Sequence, residues 1–165
     1  MKKFELTSET KINIFGKKLF RIKALVSFGV VKTGETGGWV EKEENVNQSG
    51  DAWVFGNAEV FGNARVSGDA EVFGNARVSG NARVSGNAEV FGNADYTTIH
   101  GFGTQFRTTT FFRCKDKQVK VSCGCFYGTI PEFREQVKNT RDGKIAEEYL
   151  MIADLMEKHF AEEAK

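Results

Sequence analysis

Apolar and polar positions alternate at a fixed six-residue period through the middle of the chain. From residue 50 to residue 95 each period reads Gly, Asn or Asp, Ala, a variable residue, Val and a second variable residue. The alanines stand at positions 52, 58, 64, 70, 76, 82, 88 and 94, and the valines at 54, 60, 66, 72, 78, 84 and 90. Because side chains alternate between the two sides of an extended chain, Ala and Val are expected to face inward and the variable residues outward. The pattern predicts stacked repeats with an apolar interior and Gly-Asn/Asp corners.

This repeat resembles the left-handed parallel β-helix of hexapeptide-repeat proteins over residues 50–95. In that family three periods make one triangular coil, so residues 18 apart stack, and trimers are usual. The chain departs from the family pattern by carrying Phe or Ser directly after the aliphatic position. The segments GETGGWV and GDAWVFGNA also resemble uncharacterised bacterial and phage hexapeptide-repeat proteins, some of them labelled polymer-forming. The resemblance implies a fold and no settled activity.

The two ends of the chain differ from the repeat. Alternation predicts short strands within residues 1–36. Residues 107–123 have the pattern of a β-hairpin, the capping pattern at Thr129 predicts a helix, and a second helix is expected after Gly143. The sequence therefore predicts a mainly β protein in three parts. These parts are an N-terminal β cap (residues 1–36), a left-handed parallel β-helix (37–95) and a C-terminal cap of a hairpin and two helices (96–165).

Stacking at an 18-residue spacing sorts the outward residues into three faces. Face one carries Trp53, Phe55, Glu71, Phe73, Glu89 and Phe91. Face two carries Glu59, Phe61, Arg77 and Ser79, followed by Asp95 and Thr97. Face three carries Arg65, Ser67, Arg83 and Ser85, and is expected to continue to Gly101 and Gly103.

Face one is predicted to hold a ladder of Phe rings spaced about 4.8 Å apart. Apolar stripes on a protein surface commonly mark contacts, and face three offers small residues and arginines opposite the rings and carboxylates of face one. A contact of this kind between two copies is heterologous and can close into a homotrimer. The predicted interface residues are Trp53, Phe55, Phe61, Phe73, Phe91, Glu71, Glu89, Ser67, Ser85 and Gly103. The alternative is that the cap or an N-terminal strand covers the ladder within one chain.

The cations of the repeat are candidates for binding an anionic ligand that contains a base. Arg65, Arg77 and Arg83 are its only cations, and guanidinium groups bind anions with two parallel hydrogen bonds and stack on aromatic rings. The alternative is that these arginines pair with the repeat's glutamates across a subunit boundary.

Two further groups of residues are candidates for chemistry. His100 is a weak candidate for the general base that acyltransferases of this family use, with no obvious catalytic partner in the sequence. Cys114, Cys123 and Cys125 with a histidine could hold zinc, but Cys-Gly-Cys lacks the usual two-residue spacer, so ordinary thiols are favoured. We expect no enzyme activity, no cofactor and no metal.

Composition limits the partners further. The formal net charge is +1, so neither a nucleic acid polymer nor a membrane is an expected partner. Three cysteines and a start without an export signal favour the cytoplasm. The phage-like resemblance favours a non-catalytic oligomeric binding protein that blocks host defence, by binding a host protein or by sequestering an anionic nucleotide. The alternatives are a self-assembling scaffold and an acyltransferase relative.

Overall fold

A computed structural model describes residues 1–162 of the chain. Its strands are β1 Phe4–Ile12, β2 Lys18–Ala24, β3 Thr36–Val40, β4 Trp53–Val54, β5 Glu59–Val60, β6 Arg65–Val66, β7 Glu71–Val72, β8 Arg77–Val78, β9 Arg83–Val84, β10 Glu89–Val90, β11 Tyr96–Phe102, β12 Arg107–Arg113, β13 Val119–Cys123 and β14 Phe126–Thr129. Two α-helices follow, α1 Ile130–Thr140 and α2 Gly143–Phe160, and short 3-10 helices span Glu43–Asn45 and Asn93–Asp95.

The fold is mainly β, but the predicted left-handed parallel β-helix is wrong. The strands form four small separate sheets with the orders β1-β2-β3-β5-β8, β10-β7-β4, β6-β9 and β11-β12-β13-β14. The first sheet is mixed, because the antiparallel strands β1 and β2 extend the parallel strands β3, β5 and β8. The N-terminal strands therefore belong to the same sheet as part of the repeat. The three-part domain division stays a prediction.

Each repeat contributes a strand of only two residues, and the pairing follows an 18-residue spacing. Val54 lies beside Val72, and Val72 beside Val90, in parallel register. The valines from position 54 to position 90 and the alanines from position 52 to position 88 are buried. Ala94 breaks the series, because it falls in the 3-10 helix Asn93–Asp95 and is exposed. Apolar burial in the repeat thus follows the alternation expected from the sequence.

The first strand of the repeat region is offset by two residues. Val40 pairs with Val60 and Val46 with Val66, which are spacings of 20 rather than 18. The two extra residues follow Val46, because Val46 and Val54 are eight residues apart and the period of the repeat is six. The 3-10 helix Glu43–Asn45 lies between Val40 and Val46, which keep the six-residue spacing. Buried Asn45 anchors it, because its side-chain amide donates to the backbone oxygens of Gly62 (3.2 Å) and Ala64 (2.9 Å).

The C-terminal part packs a sheet against both the repeat and the helices. Strand β12 sends Phe112 into the core of the repeat and Phe111 into a second core with α1 and α2. The hairpin of β12 and β13 is confirmed, and so are the two helices. Thr129 caps α1 as expected: its hydroxyl accepts from the Glu132 amide, and its own amide donates to the Glu132 carboxylate. Strands β11 and β14 extend this hairpin to a four-stranded sheet, which the sequence pattern did not predict.

Candidate functional site

Face two is covered by the N-terminal strands. Phe61 is buried beside Leu19 and Trp39, and its ring lies 5.7 Å from the ring of Phe15. The predicted place of Phe61 in an interface between copies is therefore wrong, because a hairpin of the same chain already occupies that surface.

Arg77 also lies on face two and is paired within the chain. Its Nε lies 3.5 Å from Glu59, whose carboxylate also contacts the Lys11 ammonium at 2.9 Å. The Asn13 amide donates to the same carboxylate at 3.3 Å. The Glu59 side chain is only 7% exposed, so this cluster is a buried charge network. Arg77 is accordingly separated from the other two arginines that were predicted to bind an anion.

Face one is covered at its first position and open at its last. Trp53 is fully buried and meets the ring edges of Phe4 and Phe28, so its predicted place in an interface is wrong. The rings of the ladder do stack, with centroid distances of 4.5 Å between Phe55 and Phe73 and 4.8 Å from Phe73 to Phe91. Phe55 and Phe73 are half-buried, whereas Phe91 is 56% exposed.

The glutamates of face one are only partly available to a second copy. Glu71 forms an ion pair of 3.2 Å with Lys115, which follows β12 in the same chain. Glu89 lies beside Glu71 in parallel register and makes no ion pair among residues 1–162. Of the two carboxylates predicted to meet arginines of another copy, one therefore has a cation in its own chain.

Face three is the open face of the repeat. Arg65 and Arg83 are direct partners in the parallel register of β6 and β9, and both are exposed. Within the described part of the chain, neither makes an ion pair. Two positive side chains one strand apart repel each other unless an anion lies between them. Ser67 and Ser85 follow them on the same face and add hydroxyl donors.

These residues line a groove on the surface. One part, of about 650 Å³, is bounded by Arg65, Arg83, Ser85 and Ser122 and by the segment 43–48. A second part, also about 650 Å³, shares Arg83 and Ser122 with the first and is lined further by Asn81, His100, Phe106, Arg107, Thr108, Gly124 and Cys125. We call the two parts together the arginine groove. Each part has the size of an ordinary small-molecule site.

Two carboxylates lie at one side of the arginine groove. Glu43 is held by the Lys2 ammonium at 2.9 Å and by the Gln48 amide at 3.1 Å. Glu44 is exposed and lines the part of the groove near Arg65 and Arg83. Glu44 is therefore the groove carboxylate, among residues 1–162, that is left without an ion pair and could compete with a bound anion.

The chain leaves face three earlier than the sequence suggested. Residues 96–102 form β11, which pairs antiparallel with β12, so Gly103 lies in the turn between these strands. Gly103 has a φ of +77° and faces the Tyr149 hydroxyl, and it is not the continuation of the column of Ser67 and Ser85. The expected continuation of face three to Gly103 is therefore wrong, whereas its role in an interface between copies stays a prediction.

His100 lies at the far end of the arginine groove. Its Nδ1 lies 3.1 Å from the Thr108 hydroxyl on the neighbouring strand, and its side chain is exposed. The structure therefore places the weak catalytic candidate in the same groove as Arg83, next to a hydroxyl.

Sequence reasoning missed Phe106, Arg107 and Ser122 as neighbours of Arg83. They reach the groove because the turn between β11 and β12, and the end of β13, fold back over the open face of the repeat. The only local signal is the adjacent aromatic and basic pair Phe106-Arg107 in a turn that contains glycine.

The three cysteines do not form a metal site. Cys114 is buried, and burial raises its pKa to about 11. Cys123 accepts a hydrogen bond from the Thr109 hydroxyl at 3.1 Å, and Cys125 is exposed. Among residues 1–162, no three His, Cys, Asp or Glu side chains are grouped so that they could hold a metal ion.

No protein-family model matches this chain, and no curated protein matches it. The resemblance to hexapeptide-repeat proteins stays a prediction. A functional proposal is therefore argued from the geometry and charge of the arginine groove. Neither helix within residues 1–162 is long and apolar enough to cross a membrane.

Proposed function

We propose that the protein is a non-catalytic binding protein that holds a small polyanion in the arginine groove. The observation that carries the proposal is the pair of Arg65 and Arg83. They are exposed, lie in direct register on neighbouring strands and have no carboxylate partner within residues 1–162.

The geometry suits consecutive phosphate groups. Guanidinium groups donate two parallel hydrogen bonds to phosphate oxygens, and such charge-assisted bonds are roughly twice as strong as neutral ones. Neighbouring strands lie about 4.8 Å apart, so two stacked arginines present their donors along a short line. The hydroxyls of Ser67 and Ser85 lie on the same face. A chain of linked phosphates offers negative charge at a comparable spacing.

A bound anion also resolves an electrostatic problem of the unliganded protein. The repulsion between Arg65 and Arg83 is only weakly relieved by Glu44, which is exposed and makes no ion pair in the described chain. An anion between the guanidinium groups turns this repulsion into two attractions. Binding should therefore weaken as salt concentration rises.

The biological role that we attach to this binding comes from the resemblance to phage proteins. It is removal of an anionic nucleotide signal in the cytoplasm of an infected cell. The groove supplies the binding chemistry for that role, and the resemblance supplies the setting.

The test is calorimetric titration of the purified protein with inorganic tripolyphosphate at low salt. We expect Arg83→Gln to weaken binding roughly 10- to 100-fold, because one charge-assisted contact contributes about 1.5–3 kcal/mol. Arg77→Gln is the matched control, since Arg77 has the same position in the preceding repeat but faces Glu59. An unchanged affinity in Arg83→Gln, or an equal loss in both variants, would falsify the proposal.

A second candidate function is self-assembly through the Phe ladder, and the exposure of Phe91 favours it. The occupant would be a second copy of the chain, whose face three offers Ser67, Ser85 and two arginines without ion pairs among residues 1–162 to the rings and to Glu89. A closed homotrimer follows if the rotation of this contact allows it.

Native mass spectrometry tests the second candidate. Phe73→Glu should convert trimers to monomers, whereas Ile14→Glu, at an exposed apolar position elsewhere, should leave the mass unchanged. A monomeric wild-type protein, or a trimer that survives Phe73→Glu, rules out the ladder as the contact. Since this contact and the polyanion use the same face, tripolyphosphate should compete with assembly.

A further inference from the structure

The aromatic ring at the far end of the arginine groove lies outside the hydrophobic cores that residues 1–162 form. Phe106 is 65% exposed, although a Phe side chain gains about 1.5–3 kcal/mol from full burial. It stands in the turn between β11 and β12 and lines the same part of the groove as Arg83 and Arg107. An exposed aromatic ring beside cations is what a ligand with both a flat ring and negative charge requires.

The backbone at Phe106 is held in an uncommon conformation. Its φ is +51°, in the left-handed region that bulky residues seldom adopt. Conformations of this kind cost about 1–3 kcal/mol and cluster at ligand-binding sites. The same φ fixes the direction in which the side chain leaves the turn.

We propose that the ligand of the arginine groove is a nucleotide, whose phosphates lie on Arg65 and Arg83 and whose base stacks on Phe106. This inference rests on the proposed polyanion binding and adds the residue that recognises the base. The two parts of the groove meet at Arg83 and Ser122, so one molecule can reach from the arginine pair to the ring. Arg107 borders the base end, where a guanidinium can also stack on a flat ring.

Face two provides a comparison within the same chain. Phe15 is 61% exposed and lines a smaller surface depression of about 310 Å³ together with Arg77. That arginine already faces Glu59 in a buried charge network. Among residues 1–162, face two thus has an exposed ring beside an arginine that is already paired, and it should not bind nucleotides.

The experiment compares two ligands, ATP and inorganic tripolyphosphate, by calorimetry on the full chain. A purely electrostatic site gains nothing from the adenosine group, whereas base stacking on an aromatic side chain strengthens binding roughly 5- to 100-fold per base. We expect ATP to bind more tightly than tripolyphosphate. Phe106→Ala should remove this advantage and leave tripolyphosphate affinity unchanged, and Phe106→Trp should retain it.

Control variants separate a stacking role from damage to the turn. Alanine keeps a Cβ at position 106, so the backbone conformation faces the same constraint as in the wild type. Phe15→Ala should leave both affinities unchanged.

The results that would overturn the nucleotide inference differ from those that would overturn the polyanion site. If tripolyphosphate binds through Arg83 but ATP binds no more tightly, or if Phe106→Ala weakens both ligands equally, the nucleotide inference is overturned and the polyanion site stands. If neither ligand binds, the proposed function fails and the nucleotide inference fails with it.

Discussion

Arg77 and Arg83 hold the same position in successive repeats, yet their surroundings differ completely. Arg77 contacts buried Glu59, while Arg83 stacks on Arg65 and borders an open groove. The strands that carry them have the same length and the same inward valine. The difference comes from the ends of the chain, since the N-terminal hairpin covers face two and the turn of β11 and β12 borders face three. The repeat fixes where a side chain points, and the flanking segments decide what it meets.

The largest loss of stability should come from substitutions in the interior of the repeat, where the surroundings of the two arginine-bearing strands are alike. Val78 and Val84 are both fully buried beneath the arginine positions. Each Val→Ala change removes two buried methyl groups and leaves a cavity, so we expect each to lower the free energy of unfolding by about 2–3 kcal/mol. Urea denaturation of the two variants provides the measurement. Losses that differ by more than about 1 kcal/mol would show that the two columns do not share one kind of interior.

The second-largest loss of stability should come from the ion pairs on covered face two, and it should exceed the loss from a more exposed ion pair on face one. Glu59→Gln removes a buried charge that meets both Lys11 and Arg77, and we expect a loss of about 1–3 kcal/mol in the free energy of unfolding. Glu71→Gln breaks a single pair with the more exposed Lys115 and should cost less than about 1 kcal/mol. Urea titrations at neutral pH give both values. Equal losses would contradict the description of face two as a buried charge network.

A change that appears only in alkaline solution tests the N-terminal cover. Lys3 is buried, and its ammonium donates to the backbone oxygens of Gly50 (3.1 Å) and Ala52 (2.8 Å). Burial lowers the pKa of Lys3 from 10.5 to about 8, although the nearby Asp51 charge opposes the shift. Between these pH values the unfolded chain binds more protons, so the free energy of unfolding should rise with pH from about 8.

The matching variant for this pH effect is Lys3→Met, which should lose the rise. Cys114 acts in the opposite direction, because burial raises its pKa from 9 to about 11 and the unfolded thiol ionises first. The comparison is therefore best made between pH 8 and 9, below the window of Cys114. Parallel curves for the wild type and Lys3→Met would refute the assignment.

The smallest change in stability should come from a substitution on the open face three. Arg65→Gln removes one of two repelling charges that have no carboxylate partner in the described chain. We expect the free energy of unfolding to change by less than about 0.5 kcal/mol, toward greater stability at low salt. Thermal unfolding at two salt concentrations measures this. A clear loss of stability would mean that Arg65 forms a structural contact.

The sequence predicted the interior better than the architecture. Alternation within Ala-x-Val identifies the buried residues, since a chain can hardly expose its valines and bury Glu and Arg. It does not specify how strands of two residues group into sheets. The mixed sheet depends on β1 and β2 joining β3, and the two-residue offset depends on two extra residues between Val46 and Val54. Neither feature belongs to the six-residue pattern, and the predicted β-helix was wrong for that reason.

Part of the candidate site could be predicted from the sequence. Stacking at 18 residues correctly brought Arg65 and Arg83 together. The sequence could not tell that Arg77 would find Glu59 in a network with Lys11, because long-range covering by a hairpin leaves no periodic signal. Phe106 reaches Arg83 only through the return of β11 and β12, which begins where the repeat ends.

The most direct test of the arginine groove is a crystal structure of the protein grown with ATP. The account predicts phosphate oxygens within hydrogen-bond distance of the Arg65 and Arg83 guanidinium groups, the adenine ring stacked on Phe106, and no nucleotide beside Arg77. A structure in which Arg65 and Arg83 instead meet Glu89 of a second copy, with Phe rings packed on Ser67 and Ser85 and no nucleotide in the groove, would contradict it. That result would establish self-assembly as the use of face three.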